Sequence, residues 1–125
     1  MAGYYEVTVE DSFSASHSVL LPGGSYEPSH VHNWRVRVTF RAAALNEAGF
    51  VVDFVEAQEA LRRACAELDG GDLNAHTRFA TGASAERVAH WLAERMTTLL
   101  GAAVGVHRVD VTEAPGCVAT YVTGR

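Results

Sequence analysis

The chain has 125 residues, 48% of them hydrophobic and 20% charged, which is the composition of one globular domain long enough to bury its own core. A formal charge of −5 at pH 7 and the lack of any Lys/Arg cluster argue against broad phosphate-backbone binding, so neither DNA nor RNA is an expected ligand. No apolar run nears the roughly 18 residues of a membrane helix, and Met1 to Glu6 lack the basic flank and apolar stretch of a signal peptide, so the expectation is a cytoplasmic protein with no membrane partner.

From Tyr5 to His17 the odd positions Tyr5, Val7, Val9, Phe13 and Ala15 are mostly apolar, while Glu6, Thr8, Glu10, Ser12, Ser14 and Ser16 are polar. A period of two predicts a strand with one buried face. Pro22, Gly23 and Gly24 then predict a loop over about residues 18 to 29. The next alternating run sets His32, Trp34, Val36, Val38 and Phe40 on one face and Asn33, Arg35, Arg37, Thr39 and Arg41 on the other, a second one-sided strand.

Asp53 and Glu56 have the spacing of a capping box, so a helix is expected to begin there. Its apolar stripe is Phe54, Ala57, Leu61, Ala64, Cys65 and Leu68, with Gly70-Gly71 as the stop. A second helix from about Ser84 to Gly101 buries Val88, Trp91, Leu92, Met96, Leu99 and Leu100. A third strand, His107 to Glu113, alternates Val109 and Val111 with Arg108 and Asp110. The turn at Pro115-Gly116 leads into a last strand through Val118, Thr120 and Val122. This order predicts an α+β fold: a four-stranded antiparallel sheet with two helices packed on one face. The open sheet edges predict assembly between chains, and Cys65 and Cys117 are read as free thiols.

His30 and His32 share a face because side chains at i and i+2 do, and His17 ends the first strand on the face of Val7, Val9 and Phe13. If the two strands pair as an antiparallel hairpin, three imidazoles converge at one end of the sheet. Three neutral imidazoles with an open fourth position suit a catalytic zinc site. An H-x-H pair alone is common, and the same residues also read as polar strand-end histidines beside a loop histidine.

Taken together, Phe13-Ser14-Ala15-Ser16-His17, His30-Val31-His32-Asn33-Trp34, Gly49 to Phe54, Leu68-Asp69 with Leu73-Asn74, Ala85 to Ala89 and a late Glu113 resemble the 6-pyruvoyl-tetrahydropterin synthase and 6-carboxy-tetrahydropterin synthase family over nearly the whole chain. The resemblance implies a T-fold that joins other copies around a barrel, as a homotrimer or homohexamer. It implies zinc on His17, His30 and His32. It also implies a lyase reaction in which a reduced pterin carrying a triphosphate ester loses triphosphate and has its side chain isomerised or cleaved. Glu113, on the parity of Val109 and Val111, would accept two hydrogen bonds from the pterin's amino group and ring nitrogen.

The chain departs from the family at the proton-transfer groups. Tyr26 stands where members carry a cysteine, and Gly70 stands where an Asp-His pair would place its imidazole. Glu27, one residue from the lost thiol, is a candidate base or a solvated loop carboxylate. Asp69 is a candidate proton relay or a helix-terminal residue. His76 stands in for the missing imidazole or is a surface histidine. Cys117 sets a thiol beside the site or is a small buried strand residue. Cys65 reads as core, and His90 and His107 as surface or interface residues. The altered acid/base set leaves two rival readings open, a metal-dependent cyclase or dehydratase on a non-pterin metabolite and a non-catalytic zinc- and pterin-binding module.

Overall fold

A computed structural model describes residues 2–124. Strands β1 (Tyr5–His17), β2 (His30–Ala42), β3 (Val106–Ala114) and β4 (Cys117–Val122) and helices α1 (Phe54–Ala66) and α2 (Ala85–Leu100) follow the predicted order. The sheet order is β1-β2-β3-β4, antiparallel throughout. β1 and β2 pair along their whole length, from Tyr5 opposite Ala42 to His17 opposite His30. The predicted hairpin therefore forms, in the register that the alternating patterns require.

One face of the sheet buries Val9, Phe13, Ala15, Trp34, Val36, Val38, Phe40, Val109 and Val111, against which both helices pack. The opposite face is polar. The Asp53 carboxylate caps α1 by accepting from Val55 N–H at 2.8 Å, and Ala57, Ala60, Leu61, Ala64 and Cys65 form its buried stripe. Phe54, the first helical residue, departs from the expected stripe and is 56% exposed. Val52, just before the cap, is buried in its place together with Ala57, the positions a hydrophobic staple uses. In α2, capped by Ser84 Oγ on Arg87 N–H, Val88, Trp91, Leu92 and Met96 are buried.

The segment after α1 ties down the end of β1 that carries His17. Gly70 N–H donates to Ser14 O at 2.7 Å and Ser16 N–H to Gly71 O at 3.0 Å. The Asn74 amide brackets Ser18, accepting from its N–H at 2.8 Å and donating to its carbonyl at 3.0 Å. Together these bonds satisfy backbone groups that an edge strand would otherwise leave open, and fix the strand end.

Both cysteines are free. Cys65 is core, as expected, and burial, with Asp11 and Asp69 nearby, pushes its thiol up to about 12. Cys117 is exposed, contrary to its reading as a buried strand residue, because it opens β4, the last strand in the order of the sheet. Iodoacetamide should therefore spare Cys65 in the native protein and alkylate it only after unfolding; peptide mass mapping checks this, and labelling of native Cys65 would contradict the packing of α1. Among the described residues no helix is long and apolar enough to cross a membrane.

Candidate metal centre

His17, His30 and His32 meet where β1 and β2 end. Ala15 lies opposite His32 and His17 opposite His30, and all three rings project to the helix side of the sheet. Their ligand atoms lie within 4.8 Å of one another. Trp34 forms the floor: it is fully buried, stacks on Phe13 at 5.8 Å, donates from Nε1 to Ala15 O at 3.1 Å and meets His17 edge-on at 4.7 Å.

The hydrogen bonds at the far side of two rings set their tautomers. His17 Nδ1 lies 2.7 Å from Ala83 O, and His30 Nδ1 lies 2.9 Å from Pro28 O. A carbonyl only accepts, so both Nδ1 atoms carry a proton, and each ring in its neutral form presents a lone pair at Nε2. Those two Nε2 atoms face each other at 3.1 Å, and Glu113 Oε1 lies 3.2 Å from His17 Nε2. Acceptors set against acceptors repel unless a cation lies between them. Two imidazole nitrogens on a tetrahedral zinc stand about 3.3 Å apart, given Zn–N bonds of about 2.0 Å, so the spacing suits a metal ion. Burial, partly offset by Glu113, holds the His32 pKa below its ordinary value, a shift toward the neutral form that a metal ligand needs.

Two carboxylates bracket the cluster. Glu113 is on the His17 side, and Glu27 Oε1 lies 3.9 Å from His30 Nε2 while accepting from Val19 N–H at 3.2 Å. Asp69 and His76 are engaged elsewhere within the chain. The Asp69 carboxylate accepts from Ser14 N–H at 2.9 Å, and His76 Nδ1 accepts from Arg78 N–H at 3.2 Å with its ring against Phe79 and Trp91. Sequence reasoning missed the Ala83 and Pro28 carbonyls, since backbone acceptors leave no residue-type signal. Glu113 borders two cavities. One, of about 500 Å³, lies between the start of α2 and the β3–β4 hairpin and includes Val19, Ser84 and Cys117; the other, of about 420 Å³, includes His32, Asn33, Arg35 and Thr112.

The sequence profile described as 6-pyruvoyl tetrahydropterin synthase matches residues 6–124. Comparison with curated proteins returns no match. Among solved structures, the chain is similar to Caenorhabditis elegans 6-pyruvoyl tetrahydropterin synthase, with a TM-score of 0.80 and 21% identity over 96% of each chain. The Plasmodium vivax enzyme gives 0.81 at 20% identity, covering 95% of this chain and 97% of that one. A variant of the Plasmodium vivax enzyme, with a catalytic glutamate replaced by alanine, gives 0.81 at 19% identity over the same shares. At such identities the superpositions establish the fold, here the T-fold, while the profile, which runs from β1 to the end of β4, establishes descent. On that match the chain belongs to the 6-pyruvoyl tetrahydropterin synthase family.

Proposed function

We propose that the protein is a zinc-dependent lyase acting on a reduced pterin, dihydroneopterin triphosphate or a close relative, with a carboxylate in place of the usual thiol base. The observation that carries this reading is the convergence of two fixed Nε2 lone pairs with Glu113 on one side and Glu27 on the other. Zinc at the three imidazoles would polarise the oxygens of the pterin side chain and so acidify the adjacent C–H bonds. His17 and His30 are pre-set to ligate through Nε2, and the Trp34 floor keeps water from the buried side. Glu27, held by the Val19 amide and 3.9 Å from His30 Nε2, would take a proton from the substrate carbon. The named catalytic glutamate of the Plasmodium vivax enzyme supports a carboxylate in that role. Glu113 accepts from the amino group and ring N–H of the pterin, a planar two-point match.

Asp69 and His76 are the candidate proton relay in place of the missing imidazole, a role in which each would have to give up its present partner, the Ser14 and the Arg78 N–H respectively. The reading is a cytoplasmic homotrimer or homohexamer, joined through sheet edges of which β4, with Val118 and Val122 more than half exposed, is the more open. Native mass spectrometry should find three or six copies; a monomer at high micromolar concentration contradicts the assembly.

The test of the pterin assignment is Glu113→Gln. The amide replaces one acceptor with a donor that faces the ligand's own N–H, so binding of a reduced pterin should weaken by about 2 kcal/mol, roughly 30-fold. Zinc content at saturating metal should not change. Calorimetry on both proteins reads this directly, and equal affinities would remove Glu113 as the anchor.

A further inference from the structure

His17 is the most deeply buried of the three imidazoles, and the bond that orients it comes from a turn rather than from the sheet. Its Nδ1 donates to Ala83 O at 2.7 Å, and Ala83 is fully buried in the segment 80–84 that leads into α2. A group that bonds the far nitrogen of a ligating histidine fixes the direction of the ring. Here that group is a backbone carbonyl, so its aim depends on what holds the peptides on either side of it.

Downstream the helix does this. Ser84 caps α2, its carbonyl accepting from Val88 N–H at 3.0 Å and its Oγ from Arg87 N–H at 3.2 Å. Upstream, Gly82 N–H donates to Phe79 O at 3.0 Å, and Gly82 takes a φ of 141°, which L side chains rarely adopt. The other polar groups of the turn are held by one side chain. Arg87 Nη1 donates to Thr81 Oγ1 at 2.7 Å and to Gly82 O at 3.1 Å. Gly82 O belongs to the planar peptide that joins Gly82 to Ala83, so the guanidinium grips the unit directly before the carbonyl that His17 uses.

Arg87 is unlike the other arginines near the helices. Arg62, Arg78 and Arg95 each pair with a glutamate, whereas among the described residues Arg87 pairs with no carboxylate, and its side chain bonds only these neutral groups of the turn. A cation in the first turn of a helix opposes the helix dipole, so the third residue of α2 is a poor place for an arginine unless its bonds offset that cost. Side chains of a helix tilt toward its N-terminus, which is what carries Arg87 back over the turn.

We infer that Arg87 is a positioning residue for the metal centre: from the surface it fixes Thr81 and Gly82, and through them the Ala83 carbonyl that aims the His17 ring at the cluster. The inference rests on the zinc reading for its effect on metal binding, and not for its effect on His17.

The experiment compares the unmodified protein with R87A and with R62A, the latter removing an exposed arginine whose hydrogen bonds go to Glu59 of its own helix. In the metal-free protein, NMR follows exchange of the His17 Nδ1–H with water. Exchange should be about fivefold faster in R87A, the size expected for one net hydrogen bond, and unchanged in R62A. Zinc affinity, read by competition with a chelating dye, should fall by about fivefold in R87A alone. That is below the roughly 10- to 100-fold of a direct orienting partner, because Arg87 acts one peptide away. T81V, which deletes one acceptor and keeps the arginine, should move both readouts the same way by less, and carries the test if R87A does not fold. Equal exchange in R87A and the unmodified protein overturns the inference, as does an equal change in R62A or faster exchange with zinc affinity unaltered. If the unmodified protein takes up no zinc while exchange still quickens in R87A, the zinc reading fails and the hold of Arg87 on His17 stands.

Discussion

Replacing His32 by alanine should strip the protein of zinc while leaving the fold in place. Of the three imidazoles, His17 is buried to 1% exposure and bonds Ala83, so removing it mixes metal loss with a packing defect. His32 is only partly buried, and its loss leaves Trp34 and the β1–β2 register intact. Losing a group that merely orients a ligand typically weakens metal binding by about 10- to 100-fold, so loss of a ligand should exceed that. Metal that binds only the native state also stabilises it, by about 4 kcal/mol at a thousandfold excess over its Kd. Zinc should therefore raise the Tm of the unmodified protein and not that of His32→Ala. Elemental analysis and thermal melts check both effects, and unchanged zinc in the variant would remove the site.

Glu27→Gln should lower turnover by about 10²- to 10⁴-fold, the usual contribution of a positioned general base. The substitution separates basicity from placement. Glutamine keeps a carbonyl oxygen that can accept from Val19 N–H, the bond that now fixes the carboxylate at 3.2 Å, but it cannot take a proton at neutral pH. Zinc content and pterin affinity should stay as they were, so the loss should appear in kcat. Unimpaired turnover would show that the proton leaves by another group, and Cys117, which shares a cavity with Glu113, is then the first to replace.

The strands and the metal cluster were legible because a single local rule governs both. Alternation with period two fixes which side chains share a face, and pairing of two such strands sets Val9, Phe13, Ala15, Trp34, Val36, Val38 and Phe40 together on the buried face. That pairing sets His17 opposite His30. The parity of Glu113 with Val111 placed its carboxylate at the same end. What stayed hidden depends on contacts between distant segments. The acceptor that sets the His17 tautomer is a backbone carbonyl 66 residues away. Asp69 is drawn off by an amide of β1, a partner that follows from the path of the chain after α1 and from no motif. Phe54 has helical spacing yet lies outside the core, since spacing alone does not locate the first residue whose side chain reaches the sheet.

The most direct test of a zinc-dependent pterin lyase is release of inorganic triphosphate from dihydroneopterin triphosphate by the assembled protein, followed together with the pterin product. Release should occur with zinc bound, stop on chelation and return when zinc is restored. Triphosphate retained on the pterin by zinc-loaded, assembled protein that binds the substrate would contradict the proposed function.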